Sequence, residues 1–149
     1  MNRGLTAFVL CLALAAPAVA AETKTAREYI EQAARSKGAV KTASGAIVIP
    51  IRKGTGPSPK ASNTVTVHYT GKLVNGKVFD SSVQRGQPAS FPLGGVIRCW
   101  TEGMQKIKVG GKAKLVCPSE TAYGAEGVPP IIPPNAVLTF EVELLSIAK

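Results

Sequence analysis

Apolar and polar residues alternate from Thr64 to Leu73. Val65, Val67 and Tyr69 fall on one side, and Thr64, Thr66, His68 and Thr70 on the other. A period of two over this length is that of a strand with one buried face. Asn75-Gly76, a dipeptide favoured in tight hairpin turns, joins it to Lys77-Val78-Phe79-Asp80. The alternation returns in Lys112–Cys117, with Ala113, Leu115 and Cys117 in phase, and in Val137–Ile147, with Leu138, Phe140, Val142 and Leu144 inward. Ile47–Ile51 and Ser90–Leu93 read as shorter strands. After Gly94-Gly95 the period changes: Ile97, Trp100, Met104 and Ile107 share one face at helical spacing, a helix from near Arg98 to about Lys108 that Val109-Gly110-Gly111 ends. Ser81 to Ala89 is polar and reads as a loop or bulge, and Ser119 to Asn135 is a long Gly- and Pro-rich loop. The pattern predicts an α+β domain over residues 46–149: an antiparallel sheet of about five strands with one short helix lying across it.

Residues 21–45 form a separate leader. Ala26, Tyr29, Ile30, Ala33 and Ala34 recur at helical spacing, with Thr25 as a cap and Gly38 as a stop, and Val40–Gly45 reads as a linker. A helix of about ten residues is marginal alone and must dock, on the domain or on a second copy. Residues 1–20 have the make-up of a secretory signal peptide: Arg3, the apolar run Leu5–Ala16, then Ala18-Val19-Ala20 as a small-residue cleavage site. The run is too short for a membrane span, and Cys11 sits too early in it for lipoprotein cleavage. The expected location is periplasmic or secreted, after cleavage near Ala20.

Composition narrows the chemistry. The formal charge is +9, but the lysines are scattered and no basic run carries interleaved aromatics, so nucleic acid is not the expected partner. His68 is the only histidine, and no nucleophile stands beside it in a recognisable motif. Neither a metal-ligand cluster nor a phosphate-binding glycine loop is present, so no cofactor or metal is expected. After export two cysteines remain, Cys99 and Cys117. They read equally as a disulfide, stabilising by roughly 3 kcal/mol, or as two buried free thiols. An enzyme built from these parts needs a reaction without nucleophile, metal or cofactor. Rotation about an X-Pro amide is one: its barrier of about 20 kcal/mol comes from resonance alone.

Six stretches carry a resemblance: Val67-His68-Tyr69-Thr70-Gly71, Phe79-Asp80-Ser81-Ser82, Val96-Ile97 with Trp100, Ala122-Tyr123-Gly124, Ile131-Ile132-Pro133-Pro134 and Leu138–Leu145. Their order and spacing, from about Ile47 to Ala148, resemble the FKBP-type peptidyl-prolyl cis-trans isomerases, in particular exported bacterial forms. The resemblance implies a twisted antiparallel half-barrel wrapped around the short helix. It also implies a pocket with Trp100 as its floor beneath the substrate proline. Tyr69, Phe79, Phe91 and Phe140 would bind substrate as walls, with Val96 and Ile97 at the rim. The Ile97 N–H and the Tyr123 hydroxyl would reach substrate carbonyls. Asp80 would be the one carboxylate at the edge, held by Tyr69 and Arg85, and Ile131 and Ile132 would overhang the site. Asp80, Tyr123, Ile97 and Trp100 are thus the implied catalytic group.

This chain departs from the family pattern at Ala89, often an aromatic, at Val128, often a histidine, and at Cys99, usually a glycine; Cys117 falls in phase with core-facing Leu115, so the two cysteines could meet. The implied function is acceleration of X-Pro rotation in exported, proline-containing polypeptides, with macrolide inhibitors of the family as ligands. A chaperone-like binding module using the same pocket is the competing reading. The leader looks too short for the long helical dimerisation arm of larger exported relatives, so a monomer is expected.

Overall fold

In the computed structural model, which describes residues 18–148, the long alternating segment becomes the strand that others pair on. That strand, β3 (Thr64–Leu73), runs antiparallel to β7 (Leu138–Ala148) over its whole length, from Thr64 opposite Ala148 to Leu73 opposite Leu138. Its other edge is shared. β5 (Ala89–Pro92) takes Thr64–Val67, and β4 (Val78–Ser81) takes Thr70–Lys72. Beyond β7 follow β6 (Lys112–Cys117), β2 (Ile47–Arg52) and the two-residue β1 (Val40–Lys41). The sheet therefore has seven strands in the order β1-β2-β6-β7-β3-β4, with β5 on β3; it is antiparallel throughout and open.

α3 (Arg98–Gly103) continues into a 3-10 turn, Met104–Lys106, and lies in the hollow of the sheet. Cys99, Trp100 and Met104 are buried there against Val65, Val67, Leu115, Val142 and Leu144. A disulfide joins Cys99, at the start of α3, to Cys117, at the end of β6, with the two Cα atoms 5.6 Å apart. The Asn75-Gly76 turn forms as its sequence dictates: Gly76 takes φ +89°, and Leu73 and Lys77 close the hairpin with a 2.9 Å bond.

Four elements differ from the sequence expectation. Val40–Lys41, read as linker, pairs with Val48 and Ile47 as an edge strand. The polar stretch after Asp80 is not a bulge but one helical turn, α2 (Ser82–Arg85). The Ser81 side chain accepts from the Gln84 N–H at its start, and Gly86 closes it at φ +72°. α3 is shorter than the periodicity suggested, because Gly103 follows the first turns and the last residues tighten into the 3-10 turn.

The N-terminal helix α1 (Ala18–Ala34) is longer than expected, and Thr25 lies within it rather than capping it. Ala18, Ala20, Ala21 and Glu22 are strong helix formers, and the helix runs past the apolar stripe on its N-terminal side. α1 docks on the sheet's second face. Ala33 is buried against Ile47, Val116 and Val137, with Tyr29 and Ile30 packed beside them. The greater part of the expected signal peptide, residues 1–17, lies outside the described residues. No helix among the described residues is long and apolar enough to cross a membrane.

Candidate functional site

Trp100 is carried into the hollow by the first turn of α3, and its ring meets three others edge-on. Tyr69 from β3, Phe91 from β5 and Phe140 from β7 stand with centroids 5.3, 5.4 and 5.3 Å away, at interplanar angles of 85°, 82° and 88°. Phe79 from β4 is edge-on to Phe140 at 5.6 Å, and Tyr69 to Phe91 at 5.8 Å. Edge-to-face geometry is the arrangement the aromatic quadrupole favours, so the five rings hold each other in place. They line a cavity of about 360 Å³, together with Asp80, Gly95, Val96, Ile97 and Tyr123.

The floor is almost entirely buried, and Trp100 Nε1 has no hydrogen-bond partner among the described residues. A buried unpaired donor is a cost of roughly 1–3 kcal/mol. At the rim, the Ile97 carbonyl accepts from Trp100 and Thr101, while its own N–H donates to no backbone carbonyl among the described residues. Tyr123 lies on the loop after β6 and is 42% exposed. The base of that loop is pinned: the Asn135 N–H donates to the Gly124 carbonyl, and the Gly124 N–H to the Ser119 carbonyl, each at 2.9 Å.

The only charged wall is Asp80. The Tyr69 hydroxyl donates to one of its oxygens and Arg85 Nη1 to the other, while Arg85 Nη2 donates back to Tyr69 Oη at 3.1 Å. Partial burial works against ionisation of Asp80, but the hydrogen bonds from Tyr69 and Arg85 outweigh it and hold the carboxyl below its ordinary value. Burial, followed by the hydrogen bond to Asp80, pushes the Tyr69 hydroxyl above its ordinary value. The one-turn helix α2 delivers Arg85 into this cluster. Ser82, fully buried, anchors that turn: its Oγ accepts from the Tyr69 N–H at 2.7 Å and lies 3.0 Å from His68 Nδ1. His68 thus fastens the turn to β3 rather than facing the cavity.

Three residues expected at the site do not line the cavity. Arg85 reaches it only through Asp80 and Tyr69. Val128 and Ile132 exchange backbone hydrogen bonds of 2.8 and 2.9 Å, folding the loop onto itself. That bridge turns Ile132 into the core, where it is 5% exposed, and leaves Ile131 at 52% exposure. Neither is among the residues that line the aromatic box.

Two site residues escaped the sequence reading. Gly95 lines the cavity. Gly71 creates the space for its wall: a Cβ there would come within 2.6 Å of Phe79 Cζ and 2.9 Å of Phe140 Cε1. A lone glycine inside an otherwise regular alternating strand is the usual signal of such a close approach. Among the described residues no cluster of three or more His, Cys, Asp or Glu side chains is placed to hold a metal ion.

Comparison with known proteins agrees with this geometry. Residues 56–145 match the family described as FKBP-type peptidyl-prolyl cis-trans isomerase. The FKBP-type peptidyl-prolyl cis-trans isomerase FkpA of Escherichia coli (strain K12) is 51% identical over 121 residues, covering 81% of this chain and 44% of that protein. FK506-binding protein 1 of Rhizopus delemar is 52% identical over 106 residues, covering 69% of this chain and 98% of that protein. Among solved structures, a peptidyl-prolyl cis-trans isomerase from Pseudomonas syringae pv. tomato superposes with a TM-score of 0.81 at 40% identity, over 90% of this chain and 98% of that one. The chain spans less than half the length of the curated FkpA proteins it matches.

Proposed function

The chain belongs to the FKBP-type peptidyl-prolyl cis-trans isomerase family, and we propose that its aromatic box accelerates rotation about X-Pro bonds in polypeptides. The observation that carries this reading is the set of three rings edge-on to Trp100, which leaves a flat, apolar, five-ring enclosure open at a rim of few polar groups.

Rotation breaks no covalent bond and transfers no proton, so the site has only to bind the twisted amide better than either planar form. The planar amide owes its barrier to a charge-separated resonance form that twisting removes, and an apolar enclosure disfavours that form in the planar states, which brings them closer in energy to the twisted one. The proline ring would rest on Trp100 between Tyr69, Phe91 and Phe140. The Ile97 N–H, without a backbone partner, would fix one substrate carbonyl. The Tyr123 hydroxyl would approach the carbonyl of the turning bond. Asp80, ionised and held by Tyr69 and Arg85, places a fixed negative charge beside that carbonyl as its carbon–nitrogen bond loses double-bond character.

The test is isomerisation of a short X-Pro peptide, measured without a coupled protease. The native chain should exceed the spontaneous rate by orders of magnitude, and the double variant Tyr69→Ala, Phe79→Ala should lose most of that gain. Equal rates for the two would sink the enzyme reading. A binding-module reading has one observation in its favour: Tyr123, Val128 and Ile131 expose apolar surface on a single loop beside the cavity. Suppression of client aggregation that survives the double variant would assign that role to the loop.

The finer readings rest on the same site and on the leader. The chain is exported after cleavage near Ala20, which N-terminal sequencing of the secreted form checks. It acts as a monomer, which light scattering checks. Its cavity takes macrolide inhibitors of the family, in keeping with the name of the Rhizopus relative.

A further inference from the structure

A second concave site shares no residue with the aromatic box. It is a cleft of about 240 Å³ between β2, the Lys53–Gly54 turn and the chain that leads from α3 into β6. Five cations border it: Arg52, Lys53, Lys106, Lys108 and Lys112. Arg52 Nη2 stands 3.4 Å from Glu143 Oε1, and Lys112 Nζ 4.0 Å from Glu141 Oε2. Lys53, Lys106 and Lys108 form no salt bridge among the described residues, and no carboxylate lines the cleft. Beneath the cations the floor is apolar: Val48, Ile107 and Ala113, all buried.

The backbone that carries these charges is tightly fastened. A Cβ at Gly54 would come within 2.5 Å of the Val109 oxygen and 2.6 Å of the Lys108 oxygen and Gly111 nitrogen. The Thr55 and Gly56 N–H groups both donate to the Val109 carbonyl, at 3.2 and 3.1 Å, and the Val109 N–H returns to Pro57 at 3.0 Å. Arg52 Nε donates to the Gly110 carbonyl at 3.1 Å. Like charges held on a fixed frame repel one another, and an anion placed among them relieves that repulsion at little further ordering cost.

We infer that this cleft is a second polypeptide site, which takes an acidic segment bearing one bulky apolar side chain. The apolar side chain enters the floor, and flanking carboxylates meet Lys53, Lys106 and Lys108. The inference rests on the reading of the chain as acting on polypeptides. Concavity favours a chain segment over an anionic bilayer, because a flat layer of headgroups leaves the apolar floor unfilled.

The experiment uses a short proline-free peptide of Asp and Glu around a single Phe, titrated into the full chain and followed by amide chemical shifts. Perturbations are expected at Gly54 and over residues 106–112, with affinity falling about tenfold or more as salt rises from about 0.05 to about 0.5 M. The variant Lys106→Glu, Lys108→Glu should lose about tenfold or more in affinity, yet turn over a neutral X-Pro tetrapeptide at the native rate. Shifts confined to the aromatic box, undiminished affinity in the charge-reversed variant, or binding to phosphatidylglycerol vesicles without peptide binding would each overturn it. Because the probe lacks proline, absence of isomerase activity would leave this result readable on its own.

Discussion

Gly71 shows how little room the site leaves. Phe79 and Phe140 both occupy space that any side chain at position 71 would claim. Gly71→Ala is therefore expected to destabilise the fold by about 1–3 kcal/mol through overpacking. It should also lower kcat/KM on a short X-Pro peptide by about tenfold, since it displaces two walls at once. Urea unfolding and the peptide assay check the two effects. The polar edge gives a second prediction, with opposite signs at the two ends of the pH scale. Asp80 has a lower pKa folded than unfolded, so its contribution is present above its ordinary value of 3.8 and is lost as pH falls through the folded value. Tyr69 is raised above 10.0, so its contribution is present below that value and is lost as pH rises through the folded one. The Asp80 and Arg85 side chains keep 41% and 52% of their exposure, so solvent screens the pair and keeps its contribution small. Asp80→Asn should flatten the acid limb of stability and bring the Tyr69 titration, followed by its ring-carbon NMR shift, back toward the ordinary range. Tyr69, Phe79 and Phe140 were legible because each stands in a motif with fixed spacing. Which of Ile131 and Ile132 is buried was not legible, because a sequence motif does not show which way a loop's alternate side chains turn; the Val128–Ile132 bridge goes with a buried Ile132 and an exposed Ile131.

At the scale of elements, the strands with clean alternation were readable and the shortest pieces were not. β3 buries one face along most of its length, and β6 and β7 do so over part of theirs, and so print their period in the sequence. α2 has only four residues, too few to show a period, and its signal was confined to its caps, Ser81 and Gly86. The same limit applies to the cysteines. Both are fully buried, where a free thiol packs as well as a disulfide, so burial could not choose between the two readings. The structure pairs them across an 18-residue separation, tying the turn that carries Trp100 to the strand that leads into the Tyr123 loop. A loop of this length predicts roughly 3 kcal/mol of stabilisation. The double variant Cys99→Ala, Cys117→Ala should lower the urea midpoint accordingly, and added dithiothreitol should shift the native midpoint but not that of the variant. An unchanged native midpoint under reduction would show that the bond contributes nothing to the fold.

Over the whole molecule, the sheet is buried on both faces where β2 and β6 run side by side. Val48 and Leu115 point into the main core, while their neighbours Ile47 and Val116 point the other way and meet α1. The sequence carried this information as two consecutive apolar pairs, Ile47-Val48 and Leu115-Val116, where a sheet with one solvated face would alternate. Reading those segments for alternation alone identified the strands but left the partner of the N-terminal helix open between the domain and a second copy. In the structure the helix docks on the domain, with Ala33 8% exposed against Ile47, Val116 and Val137. The aromatic box lies on the opposite face, built from residues of the main core. Stability and catalysis should therefore separate. Ala33→Asp would press a carboxylate into an apolar contact with no partner, at a cost of about 2 kcal/mol or more. Thermal unfolding should shift down accordingly, while kcat/KM on a short X-Pro peptide, measured well below the transition, should stay within about twofold of native. A large loss of activity at full folding would mean that the helix on the outer face reaches the site through the sheet.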